Sequence, residues 1–177
     1  MKIEKVICSK GRTGFFFDDQ KAIKAGAKND GAAYIGQPVT PGFTSIRMAG
    51  ESISVQLVLS DGQIAWGDCA AVQYSGAGGR DPLFLAEDFI PYIQEVVAPH
   101  LIGRELTSFK ELAGEINDMK DPKTGKRIHT AIRYGVTQAI LDAVAKSKHT
   151  IMAEVIAEEY NCTVSDKELP IFTQSGD

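Results

Sequence analysis

The sequence predicts an α+β domain in which sheet comes first and helices follow. Three observations carry that prediction. In residues 52–69, Ile53, Val55, Leu57 and Leu59 alternate with Ser52, Ser54, Gln56 and Val58, and Asp61-Gly62 precedes a return run holding Ile64 and Trp66. Alternation broken by a tight-turn dipeptide marks a hairpin with one buried face. Beyond Pro82 the apolar spacing becomes helical, with Phe89, Ile93, Val96 and Val97 on one face. Between the two regimes lies GDCAAVQYSGAGGRDP, residues 67–82, whose glycines at 76, 78 and 79 allow a tight turn open to a ligand. Asp81 reads as the N-cap and Pro82 as the first residue of the following helix. Amides at such a helix start can hold an anion, but a loop shaped only to enter the helix explains the same residues. The spacing lacks the last glycine of GxGxxG and the Lys-Ser/Thr of a P-loop.

Composition removes several function classes. The chain has 177 residues, a formal charge of −4 and a pI near 5.4, enough for one domain or slightly more. With no basic stripe, nucleic acid is not an expected partner. No apolar run approaches the roughly 20 residues of a membrane span. The N-terminus MKIEKVICSK carries charges within it, unlike a secretory leader. Cys8, Cys69 and Cys162 are odd in number and far apart, which suits reduced thiols in the cytoplasm. His100, His129 and His149 show no ligand spacing.

Taken in order, residues 2–9 read as a first strand with Ile3, Val6 and Ile7 as core candidates. From Gly11 to about Gln37 no clean period emerges, and the expectation is a long, partly ordered loop that packs the knot Phe15-Phe16-Phe17 on something. Residues 43–48 fit a short strand. With the hairpin at 52–69 it makes a three-stranded antiparallel meander. Pro91 should kink or break the first helix. Further helices are expected at about 108–119, 130–146 and 151–160. Of these 130–146 is the most regular, with a stripe of Ile132, Val136, Ala139, Ile140, Ala143 and Val144. A polar connector then leads to an apolar segment that reads as a strand from Leu169. An unpartnered strand there suggests that another domain should begin.

Four strings carry a resemblance: GDCAAVQYSGAGGRDPLFLAEDFIP, RIHTAIRYGVTQAILDAVAK, PIFTQSGD and GFFFDDQKAIKAGAKNDG. Together they closely resemble the N-terminal portion of the methylaspartate ammonia-lyase family, within the enolase superfamily, across essentially the whole chain. The resemblance implies an enolase-type capping domain over residues 1–162. Residues 163–177 would then be a connector and the first strand of a (β/α)8-type barrel, at whose strand ends such folds place their chemistry. It implies reversible loss of ammonia from (2S,3S)-3-methylaspartate to give mesaconate, in glutamate fermentation. The lysine base, the Mg2+ ligands and an active-site histidine would lie on later barrel strands, so this chain alone is expected to be inactive. K+ and a homodimer are also implied.

Residue by residue, Gln73 matches a family position reaching a substrate carboxylate, where a neutral amide orients the anion without adding charge. Without the resemblance, a loop glutamine is simply solvated. Gln174 matches a second substrate-binding glutamine at the end of barrel strand one. Phe172, two residues earlier on the same face, matches an aromatic lining the pocket, and barrel-core packing would explain it equally. Asp18 and Asp19 are read as capping or solvated charge rather than metal ligands, Asp142 as facing a polar contact, and His129 as a structural hydrogen-bonder. Two other readings stay open: a separate cap that binds a barrel in trans, and a related lyase with another amino-acid substrate.

Overall fold

The computed structural model describes residues 1–71 and 81–172. In chain order the first half contains β1 (Ile3–Asp18), α1 (Gln20–Lys24), β2 (Lys28–Asp30), β3 (Ala33–Ile35), β4 (Arg47–Leu59) and β5 (Ile64–Ala70). β1, β4 and β5 form an antiparallel sheet with β4 in the centre, and β2 pairs with β3 as a small separate hairpin. The alternation of β4 works as expected: Ile53, Val55, Leu57 and Leu59 are fully buried. Gly62, at φ 85, closes the turn into β5.

Two expectations about this half are corrected. The third strand of the sheet is β1, not residues 43–48, which only supply the opening Arg47 and Met48 of β4. Gly50 and Glu51 interrupt the apolar pattern and hide the continuity of that strand. The expected loop from Gly11 is also strand as far as Asp18. Its pattern is scrambled by a bulge: Arg12 pairs with Glu51 but Phe16 pairs with Ala49. Three residues, 13–15, are therefore set against Gly50, and the Thr13 hydroxyl donates back to the Phe15 carbonyl at 2.8 Å. A Cβ on Gly50 would collide with Thr13 and Phe15, so glycine is required opposite the bulge. Beyond it Phe17 is fully buried, while Phe15 and Phe16 stay about half exposed.

The helical half comprises α2 (Ala86–Tyr92), a π-helical turn (Ile93–Val97), α3 (Ala98–Leu101), α4 (Phe109–Asp118), α5 (Thr130–Ser147) and α6 (Met152–Glu159). The break expected at Pro91 takes the form of the π turn just after it, where the Ala98 N–H reaches back to the Ile93 carbonyl. α5 lies against the sheet, and every residue of its predicted stripe is buried. Its contact with β5 is backbone against backbone, because a Cβ on Gly67 would overlap the Gly135 carbonyl and a Cβ on Gly135 would overlap Cys69. Asp142 accepts from the Trp66 N–H at 2.9 Å and from Lys146 at 2.6 Å, the polar contact expected of it. Glu159 of α6 accepts the Phe109 and Lys110 amides and so caps α4 from outside.

The helix expected from Pro82 begins instead at Ala86, and the Glu51 carboxylate takes the Ala86 N–H at 2.8 Å. Leu169, Ile171 and Phe172 are 77%, 90% and 86% exposed and join no described strand, so the strand expected from Leu169 is not formed up to Phe172. A strand needs a neighbour for its backbone groups, and among the described residues no strand runs beside this segment. Among the described residues no helix is long and apolar enough to cross a membrane.

Candidate functional site

The β1 bulge, the end of β5 and the N-terminus of α5 meet around a cleft of about 1190 Å³. Arg12, Thr13, Gly14 and Phe15 form one side, Asp18–Lys21 with Thr40 and Pro41 a second, and Asp68, Ala70 and Ala71 a third. Asp81–Leu83, His129–Ala131 and Tyr134, with Phe43 and Ser52, complete it. Ala71 and Asp81, which flank residues 72–80, are thus both on its wall.

Each acidic group on the α1 side is committed to a structural task. Asp19, 1% exposed, accepts from the Lys21 and Ala22 amides at the start of α1. It also takes the Val39 amide at 2.7 Å, the Thr40 amide at 2.8 Å and the Thr40 hydroxyl at 2.6 Å. Burial pushes its carboxyl up, but the bonds from Thr40, Val39 and Ala22 outweigh that and bring it down to about 2. Asp18 holds Arg47 through a two-point contact at 2.7 and 2.8 Å. The Arg47 guanidinium also lies over Phe16 at 5.0 Å and Tyr34 at 4.9 Å, and donates to the Ala32 carbonyl. This side of the cleft is therefore pinned to β1 by one aspartate and one arginine.

On the α5 side, Asp81 accepts the Thr130 amide at 3.1 Å, capping α5 rather than the helix that follows it in sequence. His129 is 7% exposed. Its Nδ1 accepts the Ala131 amide at 3.0 Å, and its Nε2, which must then carry the hydrogen, donates to the Pro82 carbonyl at 3.1 Å. Phe84 and Phe89 flank the ring at 4.9 and 5.0 Å. Burial pushes the imidazole below its ordinary value, with Arg133 adding to the effect and the Pro82 carbonyl and Asp81 opposing it. His129 is the structural hydrogen-bonder expected.

Among the described residues no group of three His, Cys, Asp or Glu side chains could hold a metal ion. Burial also pushes the thiols of Cys8 and Cys69 up, that of Cys8 to about 11, which makes them poor nucleophiles. Gln73 and Gln174 lie outside the described residues. Phe172 is described but solvent-exposed, away from the cleft wall. Sequence reasoning missed Arg47 and the true target of Asp81. The local signal for the first was an arginine flanked by no acid in sequence, and for the second a Pro82 that mimics a helix start.

Known proteins resemble this chain strongly. The family model described as methylaspartate ammonia-lyase N-terminus matches residues 1–161. The methylaspartate ammonia-lyase of Clostridium tetanomorphum is 63% identical over 177 residues, covering all of this chain and 42% of the relative. That of Citrobacter amalonaticus is 50% identical with the same coverage. The crystal structure of β-methylaspartase from Clostridium tetanomorphum, a Mg complex, superposes with a TM-score of 0.92 over 100% of this chain and 42% of its own, at 63% identity. The Citrobacter amalonaticus enzyme containing (2S,3S)-3-methylaspartic acid gives 0.85 over 91% of this chain and 39% of its own, at 52% identity. The chain spans about two fifths of the length of the curated relatives it matches.

Proposed function

The chain belongs to the methylaspartate ammonia-lyase family through its N-terminal region, and from that membership we propose that it is the capping part of a carbon–nitrogen lyase acting on (2S,3S)-3-methylaspartate. The observation that carries this reading is the 63% identity that runs through the whole chain. The reaction removes the proton at C3, turns the freed electron pair into the C2–C3 double bond of mesaconate, and expels the C2 amine as ammonia. The proton acceptor is a lysine of the enolase-type barrel, which this chain would cover.

The cap contributes binding. Gln73 donates to a substrate carboxylate from the segment after β5. Gln174 does the same from the first barrel strand, and Phe172 closes the apolar side. Phe172, exposed in this chain, is buried in this reading only once the barrel packs around it. The described residues do not fit a magnesium ion: Asp18 is taken by Arg47 and Asp19 by five donors. In this reading the Mg2+ ligands lie on the barrel, and K+ is a further cofactor. The complete enzyme is a cytoplasmic homodimer.

Purified as its source cell makes it, the protein should convert (2S,3S)-3-methylaspartate into equal amounts of mesaconate and ammonia, and act far more slowly on aspartate. Faster turnover of another amino acid would favour a related lyase, and no turnover of any would contradict the proposal.

A further inference from the structure

Among the described residues β5 is an edge of the β1–β4–β5 sheet. The Leu59 amide donates to the Gln63 carbonyl across the turn. Alternation from that pair directs the backbone groups of Ala65, Gly67 and Cys69 to β4 and those of Ile64, Trp66 and Asp68 outward. An outward row of this kind is a template for another strand, and Ile64 and Trp66 add exposed apolar side chains to it. Side chains of α5 reach this row. Lys146 Nζ donates to the Ile64 carbonyl at 2.8 Å, the Asp142 carboxylate takes the Trp66 amide at 2.9 Å, and Gln138 Oε1 takes the Asp68 amide at 3.4 Å. Lys146 also donates to Asp142 at 2.6 Å, so the two charges hold each other in place.

We infer that Gln138, Asp142 and Lys146 form a guard that occupies the outer edge of β5 and keeps β5 of a second copy from pairing there. The two spacings fit. Four helical residues rise about 6 Å, and two strand residues advance about 6.8 Å, so successive turns of α5 serve alternate residues of β5. The order 138, 142, 146 along the helix meets 68, 66, 64 along the strand. Gly67 and Gly135, neither with room for a Cβ, set the helix close enough for a side chain as short as that of Asp142 to reach the edge. Without the guard, antiparallel pairing centred on Trp66 would satisfy the bared backbone groups and set two indoles side by side.

The test combines Asp142→Ala and Lys146→Ala in the complete protein, two changes that keep a good helix former at each site. In sedimentation the double variant should begin to grow in size at a concentration about tenfold below that of wild type. Hydrogen exchange at the Trp66 amide should quicken about a hundredfold in the dilute variant and slow again as it associates, because a second strand retakes the amide. Adding Trp66→Lys, an outward charge on the bared edge, should abolish the association without restoring the melting temperature. A double variant that associates no more than wild type would overturn the guard and leave only a fastening of helix to sheet. Association that survives Trp66→Lys, or that leaves the Trp66 amide in fast exchange, would overturn it as well. Should the double variant fail to fold, Lys146→Ala alone bares the Ile64 carbonyl, and the same onset and the same rescue by Trp66→Lys are read on it.

Discussion

Asp19 accepts five hydrogen bonds from two separate segments, residues 21–22 and 39–40. Replacing it with Asn turns an acceptor into a donor facing other donors, and should cost about 3 kcal/mol in urea unfolding. The sign of its pH dependence is fixed. The folded carboxyl sits near 2 against 3.8 ordinarily, so its contribution is present above the ordinary value and lost as pH falls toward 2. The loss amounts to about 2 kcal/mol across that window. Urea midpoints between pH 6 and pH 2 should fall less steeply in Asp19→Asn than in wild type. His129 acts in a different window. Its folded pKa lies below the ordinary 6.5, so its contribution is present above 6.5 and declines as pH drops through it. His129→Asn should flatten the midpoint profile just below pH 6.5. Single residues were legible in sequence where their task is local. His129 and Asp142 were read correctly as polar structural contacts. Asp81 was not, because its partner Thr130 lies 49 residues away and the adjacent Pro82 offers a nearer, false target.

Between elements, the β5–α5 contact depends on two glycines. Gly135→Ala would drive a Cβ into the backbone of Asp68 and Cys69, and neither can yield without moving the helix off the sheet. It should cost about 3 kcal/mol. Gly114, exposed on α4 with nothing near its would-be Cβ, provides the control, and Gly114→Ala should stabilise by up to about 1 kcal/mol. Opposite shifts of the two urea midpoints would bear out the assignment of tight and open sites, and equal shifts would refute it. At this scale the periodic elements were plain: the buried face of β4 and the stripe of α5 each follow one rule over many residues. β1 was legible only up to its bulge. An insertion of extra residues changes which side chains face inward, so Phe17 is buried and Phe16 is not, and no fixed period survives it. The residues between β1 and β4 escaped for a related reason. Their order comes from Asp19 and from Arg47 clamped by Asp18, Phe16 and Tyr34, not from any repeating pattern.

For the molecule as a whole, the order of sheet and then helices was readable because hydrophobic period changes once, near Pro82. The function was not readable from those periods. It entered through long strings resembling one family, and the cleft residues described here are scaffolding: caps, ion pairs and a buried imidazole. That division suits a cap whose catalytic partner groups reside elsewhere. In the proposed reading, Leu169, Ile171 and Phe172, apolar and open to solvent among the described residues, would pack against barrel strands. The central claim is that this sequence is the N-terminal part of a longer lyase, and the intact mass of the polypeptide carrying it, taken from its source cell, tests that most directly. A chain of 19.1 kDa that spans 42% of its relatives scales to a full polypeptide of about 45 kDa, and a mass near that value is the expected result. A mass near 19.1 kDa would contradict the account and leave a cap that works alone or with a separate barrel chain.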